Sequence, residues 1–138
     1  KSFGFVVLGL LVLRVLWRWV QPVPPLPSGA SRFTRRASAW SHGALYALML
    51  LMPVTGYLMS SANTLGVPTV IFGVIEVPHL VGADARLEAL FKTMHAWSAT
   101  ALALLVALHV LAALKHGIVS RDGVWTRMVA GSKVADAP

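Results

Sequence analysis

The stretch that most restricts this chain runs from residue 92 to residue 117, KTMHAWSATALALLVALHVLAALKHG. It is a nearly unbroken apolar segment, long enough to cross a bilayer as one helix, and it carries His95 and His109 inside it. Fourteen positions separate the two. At about 100° per residue that is about 40° short of four full turns, so both imidazoles leave the helix on nearly the same side, about 21 Å apart along its axis. They therefore stack near opposite edges of a hydrocarbon core about 30 Å thick. A neutral imidazole in lipid is costly unless its nitrogens find partners, so two on one stripe call for an explanation, hydrogen-bonded packing being the plain one for either alone. Iron supplies one answer, because histidine Nε2 is a natural axial ligand for haem and haem fills the space between packed helices.

Composition identifies the solvent. Hydrophobic residues make up 57% of the chain and charged residues 12%, with a mean hydropathy of +0.71, far from the soluble mix. The expected fold class is an all-α membrane protein, a transmembrane helix bundle, and 138 residues allow a single domain over 1–138. No cysteine is present, which excludes thiolate-ligated haem, iron–sulfur clusters, zinc-thiolate sites and disulfides within the chain. A net charge of +7 would suggest nucleic acid in a soluble domain. Here the basic residues flank apolar spans, where membrane topology and anionic lipid account for them, so lipid and not nucleic acid is the expected partner. Lys1 enters an apolar run at once with no small-residue cleavage signal after it, and a native beginning upstream is expected.

Three spans are expected. The first, about 3–20, is interrupted by Arg14, which lies within about a turn of Trp17, Arg18 and Trp19; it either snorkels to the interface that the tryptophans mark or serves function. Four prolines between residues 22 and 27 forbid helix and favour an extended connector. The second span covers about 37–60, with Ser38 or Ser41 as first-turn caps and Pro53 as an expected kink. From 61 to 86 the chain is broken by Gly66, Pro68, Gly73, Pro78 and Gly82; its apolar piece VPTVIFGVIEVP is too short to span and reads as interfacial. The third span covers about 87–117, and a polar tail with a turn at 121–123 follows. Arg14, Arg18, Arg32, Arg35 and Arg36 gather on the same side as Lys115, Arg121, Arg127 and Lys133 when the spans alternate. The positive-inside rule makes that side, and the C-terminus, cytoplasmic. His95 then lies toward the outer surface and His109 toward the cytoplasm.

The other histidines carry weaker signals. His42 lies near the cytoplasmic start of span two, at a depth comparable with His109; it reads as a ligand, a haem-propionate or quinone contact, or a capped interfacial side chain. His79, in the broken outer loop, reads as solvated. His116 follows Lys115 at the cytoplasmic end of the third span, where a basic group suits the helix dipole; contact with a propionate or quinone is the second reading. Arg32, Arg35 and Arg36 are mainly topology signals, with propionate or quinone binding as a second use. Trp40, Trp97 and the methionines read as packing or interface residues. Span one holds no His or Met to oppose His95.

Four stretches, KSFGFVVLGLLVLRVLWRW with its proline-rich continuation, SHGALYALMLLMPVTGYLMSS, MHAW…LHVLAALKHG and SRDGVWTRMV, resemble in order the bacterial cytochrome b561 family, which is related to the cytochrome b subunits of nickel hydrogenases and formate dehydrogenases. The resemblance covers nearly the whole chain. It implies a four-helix bundle holding two b haems with two axial histidines each, located in the bacterial inner membrane. By the resemblance His95 is ligand to the outer haem and His109 to the inner one. The partner of His95 would sit immediately before the KSFG stretch and that of His109 on a preceding helix. That helix, fourth in the bundle and N-terminal, is not in this chain, and truncation is the expected reason. If the start is native, His42 is the internal partner left for His109. The family carries electrons between a quinone pool, ubiquinone for instance, and a second donor or acceptor; a redox partner protein and superoxide are both candidates. Arg14 and Arg36 would neutralise propionates, and His42 and His116 would contact quinone.

The leading reading is thus a di-haem membrane electron carrier, an oxidoreductase linked to quinone. One alternative is the cytochrome b anchor subunit of a hydrogenase or dehydrogenase, against which the short tail and small loops argue. Another, from a different class, is a haem-free membrane scaffold whose histidines serve packing alone.

Overall fold

The computed structural model describes residues 1–21, 32–115 and 118. Three helices dominate, α1 (Ser2–Val20), α2 (Arg32–Ser61) and α3 (Ala85–Leu114), and each is long and apolar enough to cross a membrane. At about 1.5 Å per residue, the 30 residues of α2 and of α3 exceed the hydrocarbon thickness by several turns. α2 therefore begins five residues before the expected span, with the polar turn RFTRR already helical. This corrects the expected caps: Ser38 and Ser41 lie inside the helix, not at its start. Pro53 also lies within a continuous α2. The connector's prolines, His116 and the turn at 121–123 fall outside the described residues.

α2 is the central helix. It packs antiparallel along α3 over most of its length and along α1 less extensively. At the expected outer end, Phe5 meets Tyr57 edge-on at 5.5 Å between ring centroids. At the other end the Arg18 guanidinium lies 6.0 Å from the centre of the Tyr46 ring, a cation–π contact. Leu10, Leu13, Leu104, Leu108 and Leu111 are exposed on α1 and α3. In water such surface would be unstable; against lipid tails it is the natural outer face of a membrane helix.

The loop between α2 and α3 is more ordered than its composition indicates. Thr69–Ile71 (β1) and Ile75–Val77 (β2) pair antiparallel with Val70 opposite Glu76, so the stretch read as merely interfacial is a short hairpin. Phe72 (φ 49) and Gly73 (φ 73) give the turn two successive left-handed residues, the backbone that matches strand twist in tight hairpins. Phe72 holds this uncommon conformation because its N–H donates to Ser2 Oγ at 2.9 Å and its ring meets Phe3 edge-on at 6.2 Å. The base is tied to the end of α2. Ser60 and Thr69 share a buried hydroxyl–hydroxyl bond of 2.6 Å, and the Tyr57 hydroxyl donates to the Pro78 carbonyl. Asp84 then caps α3, its Oδ1 accepting from the N–H groups of Arg86 and Leu87 at 2.7 and 3.1 Å. Asp84→Ala is expected to lower stability by about 1 kcal/mol, read as a drop of a few degrees in the thermal midpoint in detergent.

Candidate functional site

His95 is half-buried on α3 against the MPVTG segment of α2, residues 52–56. Its Nδ1 lies 3.1 Å from the Met52 carbonyl oxygen and 3.1 Å from Thr55 Oγ1. A carbonyl only accepts, so Nδ1 carries the ring proton and Nε2 is left with its lone pair. The Thr55 hydroxyl proton is used within α2, donated to the Leu51 carbonyl at 2.7 Å and the Met52 carbonyl at 3.1 Å. The oxygen therefore faces His95 as an acceptor. Gly56 completes the cradle: a Cβ there would stand 3.2 Å from His95 Cε1, closer than ordinary van der Waals contact.

His95 also lines a cavity of about 610 Å³ between the helices, walled by Phe5, Met52, Pro53, Gly56 and Val106 among others. A cleft of that volume, mostly apolar and with one imidazole in its wall, has the size and character of a site for a large hydrophobic cofactor.

His109 occupies the corresponding position at the other end. Its Nδ1 lies 3.2 Å from Ser41 Oγ, and its ring meets that of His42 edge-to-face, 5.1 Å between centroids at 78°. His42 Nδ1 donates to the Ser38 carbonyl at 2.7 Å, one turn back on its own helix, which fixes its tautomer as it is fixed in His95. Two imidazoles bound to opposite faces of one iron, with metal–nitrogen bonds of about 2 Å, have centroids about 6 Å apart. His42 and His109 stand nearer than that and edge-on. In this arrangement His42 is a side-on neighbour of His109.

The fourteen-residue interval between the α3 histidines recurs on α2 between Ser41 and Thr55. Antiparallel packing sets Thr55 opposite His95 and, by the same register, Ser41 opposite His109. Thr55 was not singled out in the sequence, and Ser41 was expected there as a helix cap, not as the partner of a histidine. The repeated interval was the signal that would have found them, given that α2 and α3 are neighbours.

The remaining candidates lie apart. Arg14 and Arg36 are exposed, and among the described residues no hydrogen bond or ring contact links either to His42 or His109. His79 is exposed in the loop between α2 and α3, as expected. Among the described residues no three of His, Cys, Asp or Glu gather; His95 stands alone, and His109 is paired with His42.

Residues 1–131 match the sequence model of a family described as prokaryotic cytochrome b561. The chain is 40% identical to cytochrome b561 homolog 2 of Escherichia coli K12 over 134 residues, covering 96% of this chain and 69% of that protein. It is 29% identical to a probable superoxide oxidase of Yersinia pestis over 128 residues, 93% of this chain and 71% of the relative.

Proposed function

Because the chain belongs to the prokaryotic cytochrome b561 family, and so is a multi-pass membrane cytochrome b that binds haem and transfers electrons, we propose that it is a di-haem carrier passing electrons across the bacterial inner membrane, with His95 and His109 as axial ligands of separate haems. One observation carries the assignment: the Met52 carbonyl holds the proton on Nδ1 of His95, leaving Nε2 unprotonated on a residue that lines an apolar cavity. A histidine serving packing alone has no need of that tautomer beside an apolar space of this size.

The residues present fit the group. A bound haem supplies one-electron exchange between ferric and ferrous iron. The protein's part is to present neutral imidazoles and fix their orientation through Nδ1, to exclude water with Phe5, Met52 and Val106, and to separate the two ligands by about 21 Å along α3. The basic ends of α1 and α2 face the cytoplasm in this reading. His95 then serves the outer surface and His109 the inner, with the C-terminus cytoplasmic.

Quinone is the proposed two-electron, two-proton partner on the cytoplasmic side. His42, its Nε2 left with a lone pair by the Ser38 carbonyl, stands beside His109 as a polar contact there, and Arg14, Arg36 and His116 are the further candidates for quinone or propionate. On the outer side the second partner is a one-electron donor. The probable superoxide oxidase among the relatives supports superoxide as that donor, oxidised to oxygen as it gives up its electron.

His109→Ala in the full-length protein is expected to abolish one haem signal while leaving the other. The check is the reduced-minus-oxidised spectrum of purified protein with haem content by the pyridine haemochrome assay. An unchanged haem content in that variant contradicts the assignment.

A further inference from the structure

The buried hydroxyl of Thr55 is hard to account for by packing. The residue is 1% exposed in an apolar helix interface, where a hydroxyl is costly unless bonded. Its back-bonding to Leu51 and Met52 competes with the helix ladder and gives little stability of its own. Valine has nearly the same shape and would fill the space without that penalty. What valine lacks is the acceptor lone pair that Thr55 directs at His95 Nδ1, 3.1 Å away.

We propose that Thr55 is a positioning residue that sets the redox character of the His95 centre, acting through the Nδ1 proton. The proposal rests on His95 being an axial ligand. Hydrogen bonding to the far nitrogen of a ligating imidazole raises the basicity of the bound one, which favours the more positively charged ferric state. The Met52 carbonyl shares the same proton, so His95 is held by two acceptors on successive sides of the MPVTG turn. Among the described residues His109 Nδ1 meets a hydroxyl alone, Ser41 Oγ at 3.2 Å. Thr55 thus acts on His95 together with the Met52 carbonyl, and that carbonyl is the contact that sets this end of α3 apart from the His109 end.

The test compares Thr55→Val and Thr55→Ser with wild type in the full-length, haem-loaded protein, by potentiometric titration and by electron paramagnetic resonance of the ferric state. Thr55→Val is expected to keep the haem and shift the His95 centre about three- to tenfold toward ferrous, a tenfold change being about 59 mV for one electron. Its ferric spectrum should change, and the His109 centre should stay put. Thr55→Ser, which restores the acceptor, should return both readings to wild type. Haem loss in Thr55→Val that Thr55→Ser prevents also supports the role. Wild-type potential and spectrum in Thr55→Val overturn it, as does equal haem loss in both variants, which would mean the side chain only fills space. Retention of both haems in His95→Ala is a separate result: it removes the ligand assignment itself, and the proposal with it.

Discussion

Replacing His95 with alanine in the full-length protein is expected to halve the haem bound per polypeptide. The substitution removes the one imidazole that lines the cavity among α1, α2 and α3. It also orphans the acceptors aimed at its Nδ1. The buried Thr55 oxygen would lose its interhelical donor, at a penalty of about 1–3 kcal/mol, so an empty site is not held ready for haem to return with another ligand. The His109 site lies about 21 Å along the same helix on Ser41 and shares none of these contacts, so its signal should persist. His79→Ala is the matched control. That residue is exposed in the loop between α2 and α3, and its loss should leave both haems in place. The pyridine haemochrome assay reads the ratio directly.

Gly56→Val is expected to have the second-largest effect and to act without removing any ligand. Even a single Cβ at this position stands 3.2 Å from His95 Cε1. The imidazole cannot retreat without stretching its bonds to Met52 and Thr55. The two further methyls of valine would push the ring off its axis or force α2 and α3 apart. Overpacking of this kind costs about 1–3 kcal/mol. The expected outcome is loss or marked perturbation of the His95 haem signal, with a lower thermal midpoint in detergent. Gly56→Ala should show a weaker form of both. A Gly56→Val protein with a wild-type spectrum would mean that His95 is not confined by α2.

The membrane-crossing helices were legible because hydropathy and length alone decide them, and helical periodicity alone put His95 and His109 on one face of α3. The hairpin was not. Its strands are three residues each, and the turn uses Phe-Gly where a tight hairpin ordinarily signals itself with Asn-Gly or Asp-Gly. What holds Phe72 in the left-handed region is Ser2 and Phe3, about seventy residues away in sequence. The start of α2 was missed for a related reason: RFTRR is too polar to read as span, yet a helix continues past the hydrocarbon wherever its backbone can.

The candidate site divides along the same line. The α3 histidines announce themselves as polar groups in an apolar run. Their partners Thr55 and Ser41 look like ordinary small polar residues until the antiparallel register of α2 and α3 is known. Pro53 suggested a kink in the sequence; the role of Gly56 beside it, to leave room for the His95 ring, shows only in the packed helices.

The most direct measurement is a potentiometric titration of the purified full-length protein followed in its reduced-minus-oxidised spectrum. The account predicts a sharp b-type alpha band that develops in two one-electron steps, one absent in His95→Ala and the other in His109→Ala. A flat difference spectrum, or two steps that survive both substitutions, would contradict it.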